Sequence, residues 1–496
     1  MAEGKSIYTT LKEKMGRPSK EEIRDGEILP VLFKLAWPMM VAQLLQTTYN
    51  LIDTIWLGRL PPPENTLSVG AISVAWPFVF LLLSVEMGLG IAGISMISQH
   101  TGAKEYDEAY HDTGQLFLMF LVISTILGGV GFLIAEDFLN FLTQEADLVP
   151  YATSYLQIIF LGFPLLLTFA AFSFSLRAWG DTITPMLVMT VSVVINIILD
   201  PVLIFGLGPF PSMGIRGAAV ATVFARGVGT GIAIYILWAG KVDIKLKLHH
   251  LKPDIKKIKK FVSVGLPATL GRIEESVGFV LMTGLLAMLP MQEQVLAAYG
   301  IGSRVINITF VFLGGLMMAV STMVGQALGA DKKTRAEKTT NRATIVMILF
   351  MSLVSISFVL FRYQIMRFFI VDEPLVVEIG ARFLAILAIG GPFFAIYEGV
   401  SGALNGSGHT GQQFALSLLR LWGLRIPMIL ILAFALVLNS TGAWLAIASS
   451  NVITGIVAYL LYKKGWWKEK IIDKESGLDQ FIHMLKSRFG SDESTG

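Results

Sequence analysis

The sequence predicts an all-α membrane protein with twelve transmembrane helices in two pseudo-symmetric six-helix lobes. Three observations lead to this prediction: the apolar composition, the count of long apolar runs, and an internal repeat. Of the 496 residues, 54% are hydrophobic and only 15% are charged, whereas soluble domains carry about 25% charged residues. The mean hydropathy of +0.66 agrees with a chain that lies mostly in lipid.

The composition also excludes several classes of function. The net charge of +3 is too small for a nucleic-acid binder that depends on bulk charge. The absence of cysteine rules out disulfides, thiolate metal sites and cysteine nucleophiles. The sequence contains no catalytic triad, phosphate-binding loop or metal-ligand cluster that we recognise. We therefore expect neither an enzyme nor an organic cofactor.

Twelve apolar runs are long enough to span a bilayer, which takes about 20 residues. They lie at about 31–57, 68–97, 113–135, 150–174, 183–207, 217–239, 261–288, 296–326, 343–362, 376–402, 413–437 and 442–462.

The basic residues predict the orientation of these spans. They cluster in the N-terminal segment, after the sixth and eighth spans, and in the tail, at 5–24, 241–260, 332–342 and 463–470. A twelve-span topology puts all four clusters on one side, and cytoplasmic loops are the ones rich in lysine and arginine. We expect both termini to be cytoplasmic and the protein to lie in the cell membrane.

An internal repeat divides the chain into two halves. Residues 93–104 (GISMISQHTGAK) resemble 320–331 (VSTMVGQALGAD), and 176–182 (LRAWGDT) resemble 404–410 (LNGSGHT). The separation along the chain is nearly the same for three matched pairs, namely Gly102 with Gly329, Gly180 with Gly408, and Pro38 with Pro267. Such repeats are typical of transporters.

The repeat predicts the domain organisation. A lysine-rich segment at 241–260 separates two halves of six spans each, which makes it the candidate linker. We predict a cytoplasmic segment, an N-lobe, a basic linker, a C-lobe and a cytoplasmic tail, at 1–30, 31–240, 241–260, 261–465 and 466–496.

Polar residues within the first and fifth spans mark a candidate site. Gln46, Asn50 and Asp53 share one helical face with Tyr49, and Asn196 shares a face with Asp200, because their spacings follow the helical period. Ionisable groups inside a membrane are functional candidates by default. Two neighbouring acids in a poorly hydrated cavity can bind a proton or sodium ion on one side and release it on the other. Alternatively, the two aspartates are interface groups that only bond to Tyr49 and Asn196.

The other intramembrane charges have less clear meanings. Glu86 in the second span is a candidate for attracting cations into a cavity. In the second half, Glu275 either pairs with Arg272, three residues earlier, or forms part of a second coupling or substrate site with Glu398.

Several motifs resemble those of the multidrug and toxic compound extrusion (MATE) family. These are WPMM (37–40), QTTYNLID (46–53), NIILDP (196–201), GAAVAT (217–222) and LRAWGDT (176–182). The fifth- and sixth-span motifs resemble most the archaeal and DinF-like branch. In two places, Ala170 and Ser173 stand where that branch tends to carry asparagine.

The resemblance implies a twelve-helix antiporter with two lobes around a central cleft, which expels organic, often cationic, compounds in exchange for protons or sodium ions. It implies that Asp53, Asp200, Asn196, Thr222 and Tyr49 form the ion-coupling site, which for sodium would comprise the first four. It places Tyr155 beside that pocket. Glu275 stands where NorM-type members carry an acid, and Glu398 is only a loose counterpart of a second one. Gln46, Asn50, Tyr155, Glu86, Glu275 and Glu398 are the candidate substrate contacts.

Other functions remain open from the sequence. The main alternative is a lipid-linked oligosaccharide flippase of the same superfamily, although such proteins usually have a basic cavity and more helices. A third is a receptor or scaffold that transports nothing. We expect small-molecule drugs or toxic cations and membrane lipids as partners, no nucleic acid, and a monomer.

Overall fold

The computed structural model describes residues 15–143, 145–244 and 246–473, and every regular element in these ranges is helical. Twelve of the helices are long. In chain order they are α1 (Ile28–Leu57), α2 (Glu64–Ala103), α3 (Tyr106–Leu142), α4 (Val149–Ala178), α5 (Ile183–Phe205), α6 (Gly214–Trp238), α7 (Ile255–Ala287), α8 (Gln292–Gly329), α9 (Lys333–Phe369), α10 (Pro374–Ser407), α11 (Thr410–Ala435) and α12 (Asn439–Lys463).

The twelve helices coincide with the twelve predicted spans, and several extend beyond them by one or two turns. Among the described residues, eleven are long and apolar enough to cross a membrane. The twelfth, α7, is as long but begins with a lysine-rich turn and contains Arg272, Glu274 and Glu275. These charges lower its mean hydropathy, although its position in the repeat matches that of α1.

The chain divides into two compact units, whose boundaries in α1 and α7 fall beside internal prolines. Among the described residues, the first unit contains 15–20 and Trp37–Leu266, and the second contains Glu21–Ala36 and Pro267–Asp473. The prolines are Pro38 and Pro267. A helical proline removes one backbone hydrogen bond and loosens the helix at that point. The start of the predicted N-terminal segment, at 1–14, and the tail beyond 473 lie outside the described part of the chain.

In the first unit, α4 is the central helix and packs against α2, α3 and α6, while α5 packs against α6. The α5–α6 contact depends on Gly217, whose Cα faces the backbone of Leu203 and Ile204. A Cβ atom at that position would lie 2.6 Å from the Leu203 carbonyl. The glycine of the GAAVAT motif is therefore required for close approach of two backbones.

The second unit repeats this arrangement. Its central helix α10 packs against α8, α9 and α12, and α11 packs against α12. Gly442 repeats the role of Gly217, because a Cβ atom there would lie 2.6 Å from the Leu432 carbonyl. Fully buried Trp444 stacks on Tyr299 and contacts Phe383 in the core of this unit.

Helix α11 departs from regular α-geometry over half its length. Leu419–Arg425 and Leu430–Ala435 are π-helical, with a single α-turn between them. In a π-helix each N–H bonds to the carbonyl five residues earlier, and such turns occur often at functional sites. In a π-helix, residues five apart consequently lie on nearly the same face. In an α-helix, which has only about 3.6 residues per turn, they point in clearly different directions.

Two buried polar side chains, Gln115 and Asp181, fix the predicted linker and the start of α5. The Gln115 side chain donates to the carbonyls of His250 and Lys252 and accepts the N–H of Asp254. The predicted linker is thus anchored on α3. The last residue but one of the LRAWGDT motif, buried Asp181, accepts hydrogen bonds from the backbone N–H and hydroxyl of Thr184 at the start of α5.

Candidate ion-coupling site

Helices α1, α5 and α6 bring the predicted ion-coupling side chains together inside the first unit. Asp53 is 7% exposed and Asp200 is fully buried. The Asn196 amide donates to Asp200 Oδ1 at 3.1 Å, one helical turn away on α5. The Tyr49 and Thr222 hydroxyls lie 2.9 Å apart and share a hydrogen bond between α1 and α6. All five residues are buried.

Three oxygens at this site accept no hydrogen bond within the described part of the chain: Asp53 Oδ1, Asn196 Oδ1 and Asp200 Oδ2. An amide oxygen, or the oxygen of an ionised carboxylate, can only accept, and a buried acceptor without a partner costs about 1–3 kcal/mol. The carboxyl groups of Asp53 and Asp200 are also close enough to interact directly. Two carboxyl groups in contact need a cation between them, because otherwise their like charges repel.

The donor set suits either of two cations. A proton would be shared between the two carboxyl groups. A sodium ion would be held by carboxylate, amide and hydroxyl oxygens, which are the ligands that hard cations prefer. Asp53, Asp200, Asn196 and Thr222 supply all three types. Beside them lies a small cavity, with room for about one water molecule, lined by Tyr49, Ser192, Val193, Thr222, Ala225 and Arg226.

The remaining candidates of the first unit surround this group at different distances. Half-buried Tyr155 interacts electrostatically with both Asp53 and Asp200. Gln46 donates to Asn50 along α1 at 3.3 Å. Glu86 interacts with two arginines, Arg177 and Arg226, and so lies beside positive charges rather than alone in an acidic cavity.

Arg226 is a charged member of the site that the sequence-based prediction missed. It follows Thr222 by one turn of α6, and its guanidinium donates to Gln46 Oε1 and to the Met189 sulfur. It also lies over the Tyr49 ring, 5.8 Å from the ring centroid. A systematic search for charges within the apolar runs would have found it, since it stands near the middle of the sixth span.

The second unit holds a separate group of charges around Glu275. Arg420 of α11 donates to Glu275 Oε1 at 2.6 Å, and Arg272 contacts Oε2 at 3.4 Å. The predicted Arg272 pair is present, but the closer partner is an arginine that the sequence-based prediction did not include. Arg420 is 4% exposed and also lies 5.0 Å from the Tyr397 ring centroid.

Glu398 and Arg425 complete this charged group. Glu398 interacts electrostatically with Arg272, Arg420 and Glu275. The Arg425 guanidinium donates to the Ser450 hydroxyl at 3.1 Å and to the Asn451 amide oxygen at 2.8 Å. The π-helical turn of α11 explains why two arginines five residues apart both face this group.

A third set of side chains has the ligand types of a metal site, Asp107, His249 and His250. His250 Nδ1, however, accepts the backbone N–H of Lys247 at 3.0 Å. The proton of the neutral ring is then on Nε2, which faces Asp107 Oδ1 at 3.4 Å. A metal ion would need the lone pair of that nitrogen. The arrangement therefore fits a hydrogen-bonded anchor of the linker.

Comparison with known proteins identifies one family along most of the chain. The MatE family model matches residues 38–202 and 267–431. The two matches begin at Pro38 and Pro267, the prolines that the internal repeat pairs, so the predicted repeat is confirmed. A probable multidrug resistance protein NorM of Thermotoga maritima is 28% identical over 91% of this chain and 96% of its own length. A FAD transporter of Shewanella oneidensis is 26% identical over 88% of this chain and 94% of its own length.

The fold also matches solved structures. A crystal structure of MATE in the bent conformation superposes with a TM-score of 0.83 at 22% identity, covering 90% of this chain and 97% of that chain. The prediction of a twelve-helix, two-lobe membrane fold is thereby confirmed.

Proposed function

Because the chain belongs to the MatE family, we propose that it is a secondary active multidrug efflux antiporter. It exports organic, often cationic, compounds in exchange for protons or sodium ions. The observation that carries the proposal is the pair of buried carboxyl groups, Asp53 and Asp200, which together with Asn196 present three oxygens that accept no hydrogen bond from the described residues. The names of relatives as multidrug resistance proteins support the choice of cargo.

In this proposal the acid pair binds the coupling ion from one side and releases it to the other by alternating access. Asn196 holds one Asp200 oxygen, and the Tyr49–Thr222 hydrogen bond joins α1 to α6 beside the pair. A membrane potential of 100 mV adds about 2.3 kcal/mol for each charge moved. Since about 1.4 kcal/mol changes a ratio tenfold, one ion can sustain a roughly fortyfold gradient of cargo.

Further parts of the proposal concern substrate and setting. Gln46, Asn50, Tyr155 and Glu86 are proposed to contact cargo in the first unit, and Glu275 and Glu398 in the second. We propose a monomer in the cell membrane, in contact with lipids, with both termini cytoplasmic. The motifs of α5 and α6 support placement near the archaeal and DinF-like branch.

The test uses purified protein in proteoliposomes loaded with a fluorescent cationic dye. A pH gradient and a sodium gradient are imposed in separate experiments, and dye efflux is recorded for the wild type, Asp53→Asn and Asp200→Asn. We expect one gradient to drive efflux in the wild type and neither to drive it in the two variants. Asp137→Asn, an exposed acid on α3, is the matched control and should transport normally.

Two results would contradict the proposal. Full gradient-driven efflux in both aspartate variants would remove the coupling site. Movement of a lipid pyrophosphate, without any dye efflux, would favour a flippase instead. One relative is named as a FAD transporter, so the substrates tested should include a flavin nucleotide. Export of the flavin nucleotide would change the proposed class of cargo and leave the proposed coupling site unchanged.

A further inference from the structure

Arg226 is a half-buried cation whose hydrogen-bond partners are neutral, although Glu86 and Asp53 act on it electrostatically. Its guanidinium contacts the Gln46 carbonyl oxygen and the Met189 sulfur, and lies over the rings of Tyr49 and Phe169 at 5.8 and 5.7 Å. Within the described residues it forms no ion pair with a carboxylate. Charges inside membrane proteins usually pair with an opposite charge, so this arrangement calls for an explanation.

The acid pair lies close by, with Asp53 on the same helix as Gln46 and Asp200 on α5, and each acid has one oxygen that accepts no hydrogen bond within the described residues. On α1, Gln46, Tyr49 and Asp53 follow one another at intervals of about one turn. On α6, Thr222 bonds to Tyr49, and Arg226 lies one turn further along, level with Gln46. The distance along α1 from Gln46 to Asp53 is about 10 Å. The small cavity beside Thr222 is lined by Tyr49, Thr222 and Arg226 itself.

We propose that Arg226 is an internal cation that takes the place of the coupling ion at Asp53 and Asp200. With the proton or sodium ion bound, the guanidinium rests on Gln46 and the aromatic rings, as observed. When the ion leaves, the guanidinium turns through the cavity toward the acid pair, and it returns to Gln46 when the next ion binds. This inference rests on the proposed antiport function and adds a positioning residue to its ion cycle.

The physical reason is the cost of an empty acid pair. Two neighbouring carboxylates in a poorly hydrated site repel each other and hold any cation tightly. A tethered guanidinium lowers the cost of losing the ion, and it does so reversibly because it is fixed to α6. While a smaller cation neutralises the acid pair, the guanidinium has no opposite charge there to attract it and stays on Gln46 and the aromatic rings.

The test is the pH profile of dye efflux in proteoliposomes, measured at a constant pH difference. The titratable groups that act on Arg226 are Tyr49 and Asp53 on α1 and Glu86 on α2. Beside these acids lie Tyr155 and Arg177 on α4 and Asp200 on α5. None of these is changed in the test variants, which are Arg226→Gln, Arg226→Lys and Gln46→Ala.

Removal of the internal cation makes the acid pair hold its proton to higher pH, so Arg226→Gln should move the alkaline limb of the profile upward by at least one unit. Arg226→Lys keeps the charge and should restore the wild-type profile. Gln46→Ala removes the resting partner, leaves the guanidinium nearer the acids, and should move the limb to lower pH. The opposite shifts keep the test valid even if one variant folds poorly.

An unshifted profile in both Arg226→Gln and Gln46→Ala would overturn the inference, as would a shift in the same direction. If Asp53→Asn abolishes coupled efflux while these profiles stay unchanged, only the role of Arg226 fails. If Asp53→Asn still transports against a gradient, the proposed antiport site fails first. If sodium alone drives efflux, the same three variants are compared by the sodium concentration for half-maximal rate, with Arg226→Gln lowering it at least tenfold and Gln46→Ala raising it.

Discussion

The pairing of Glu275 with Arg420 makes a prediction that separates a structural acid from a transport acid. The perturbation is Arg420→Met, which removes the charge but keeps much of the side-chain volume. It leaves Glu275 with Arg272 alone, at 3.4 Å rather than 2.6 Å. The comparison variants are Arg272→Met, Glu275→Gln and the double variant Glu275→Leu with Arg420→Met.

The structure sets the expected magnitudes. The Arg420 side chain is 4% exposed and that of Arg272 is 33% exposed. Breaking a buried pair by removing one partner costs about 3–5 kcal/mol, whereas a partly exposed pair contributes up to about 1 kcal/mol. Because the Glu275 side chain is itself 24% exposed, we expect Arg420→Met and Glu275→Gln to lower the free energy of unfolding by about 3 kcal/mol, the lower end of this range. Arg272→Met should lower it by about 1 kcal/mol or less.

The double variant should recover most of the loss, because replacing both members of a buried pair with apolar residues is often neutral. The measurement is equilibrium unfolding of purified protein in detergent micelles, followed by dye efflux from proteoliposomes. Equal losses for Arg272→Met and Arg420→Met would refute the reasoning, since the geometry assigns the buried contact to Arg420.

The efflux of the double variant then decides the role of Glu275. If Glu275 acts only as a counter-ion, the double variant transports the cationic dye normally once its stability is restored. If it binds cargo or a coupling ion, the double variant is stable but loses efflux.

Three further predictions concern stability. Gly217→Ala should lower the free energy of unfolding by about 1–3 kcal/mol, because its new Cβ would press on the Leu203 backbone. The control is Gly231→Ala on the same helix, whose Cβ meets open space. In the same unfolding assay it should be neutral or stabilising by up to about 1 kcal/mol. Asp181→Ala should cost about 1 kcal/mol or more, because the N–H of Thr184 loses its acceptor, and normal stability in thermal unfolding would contradict this. Burial holds the pKa of His250 below its usual value. The imidazole therefore binds a proton more readily when the linker is undocked than when it is docked. The free energy of docking weakens as the pH falls below about 6.5, by at most about 1.4 kcal/mol per pH unit. Hydrogen exchange of residues 248–254 at pH 7.5 and 5.5, corrected for the intrinsic exchange rate at each pH, should show weaker protection in acid for the wild type, and no such change in His250→Asn.

Much of the fold was predictable because a bilayer imposes simple rules on a chain. A span needs about 20 mostly apolar residues, so reading the chain for such runs located all twelve helices, including α7, whose charges lower its mean hydropathy. The helical period then placed Gln46, Tyr49 and Asp53 on one face of α1 and Asn196 with Asp200 on one face of α5. Those local faces did not reveal which residues of α6 would meet them, and Thr222 entered only through the family resemblance.

The charged partners were harder to predict. Arg226, Arg420 and Arg425 lie within apolar runs. A charged residue in such a run is a functional candidate, but the spacing of its neighbours in the sequence does not indicate which residue it contacts. Gln46 and Arg226 are 180 residues apart in the chain, and Arg420 and Glu275 are 145 apart. Contacts over such separations depend on helix packing and not on helical period.

The sequence by itself therefore determined the number of helices, the repeat and the acids on α1 and α5, because span length and periodicity are local properties of the chain. Only the tertiary structure decided that Glu275 is bound by Arg420, that Arg226 rests on Gln46, and that α11 is π-helical. The π-helical turns of α11 change the hydrogen-bond register of the backbone without changing the apolar composition of the span. The ion pairs and hydrogen bonds of the arginines form only when separate helices pack together.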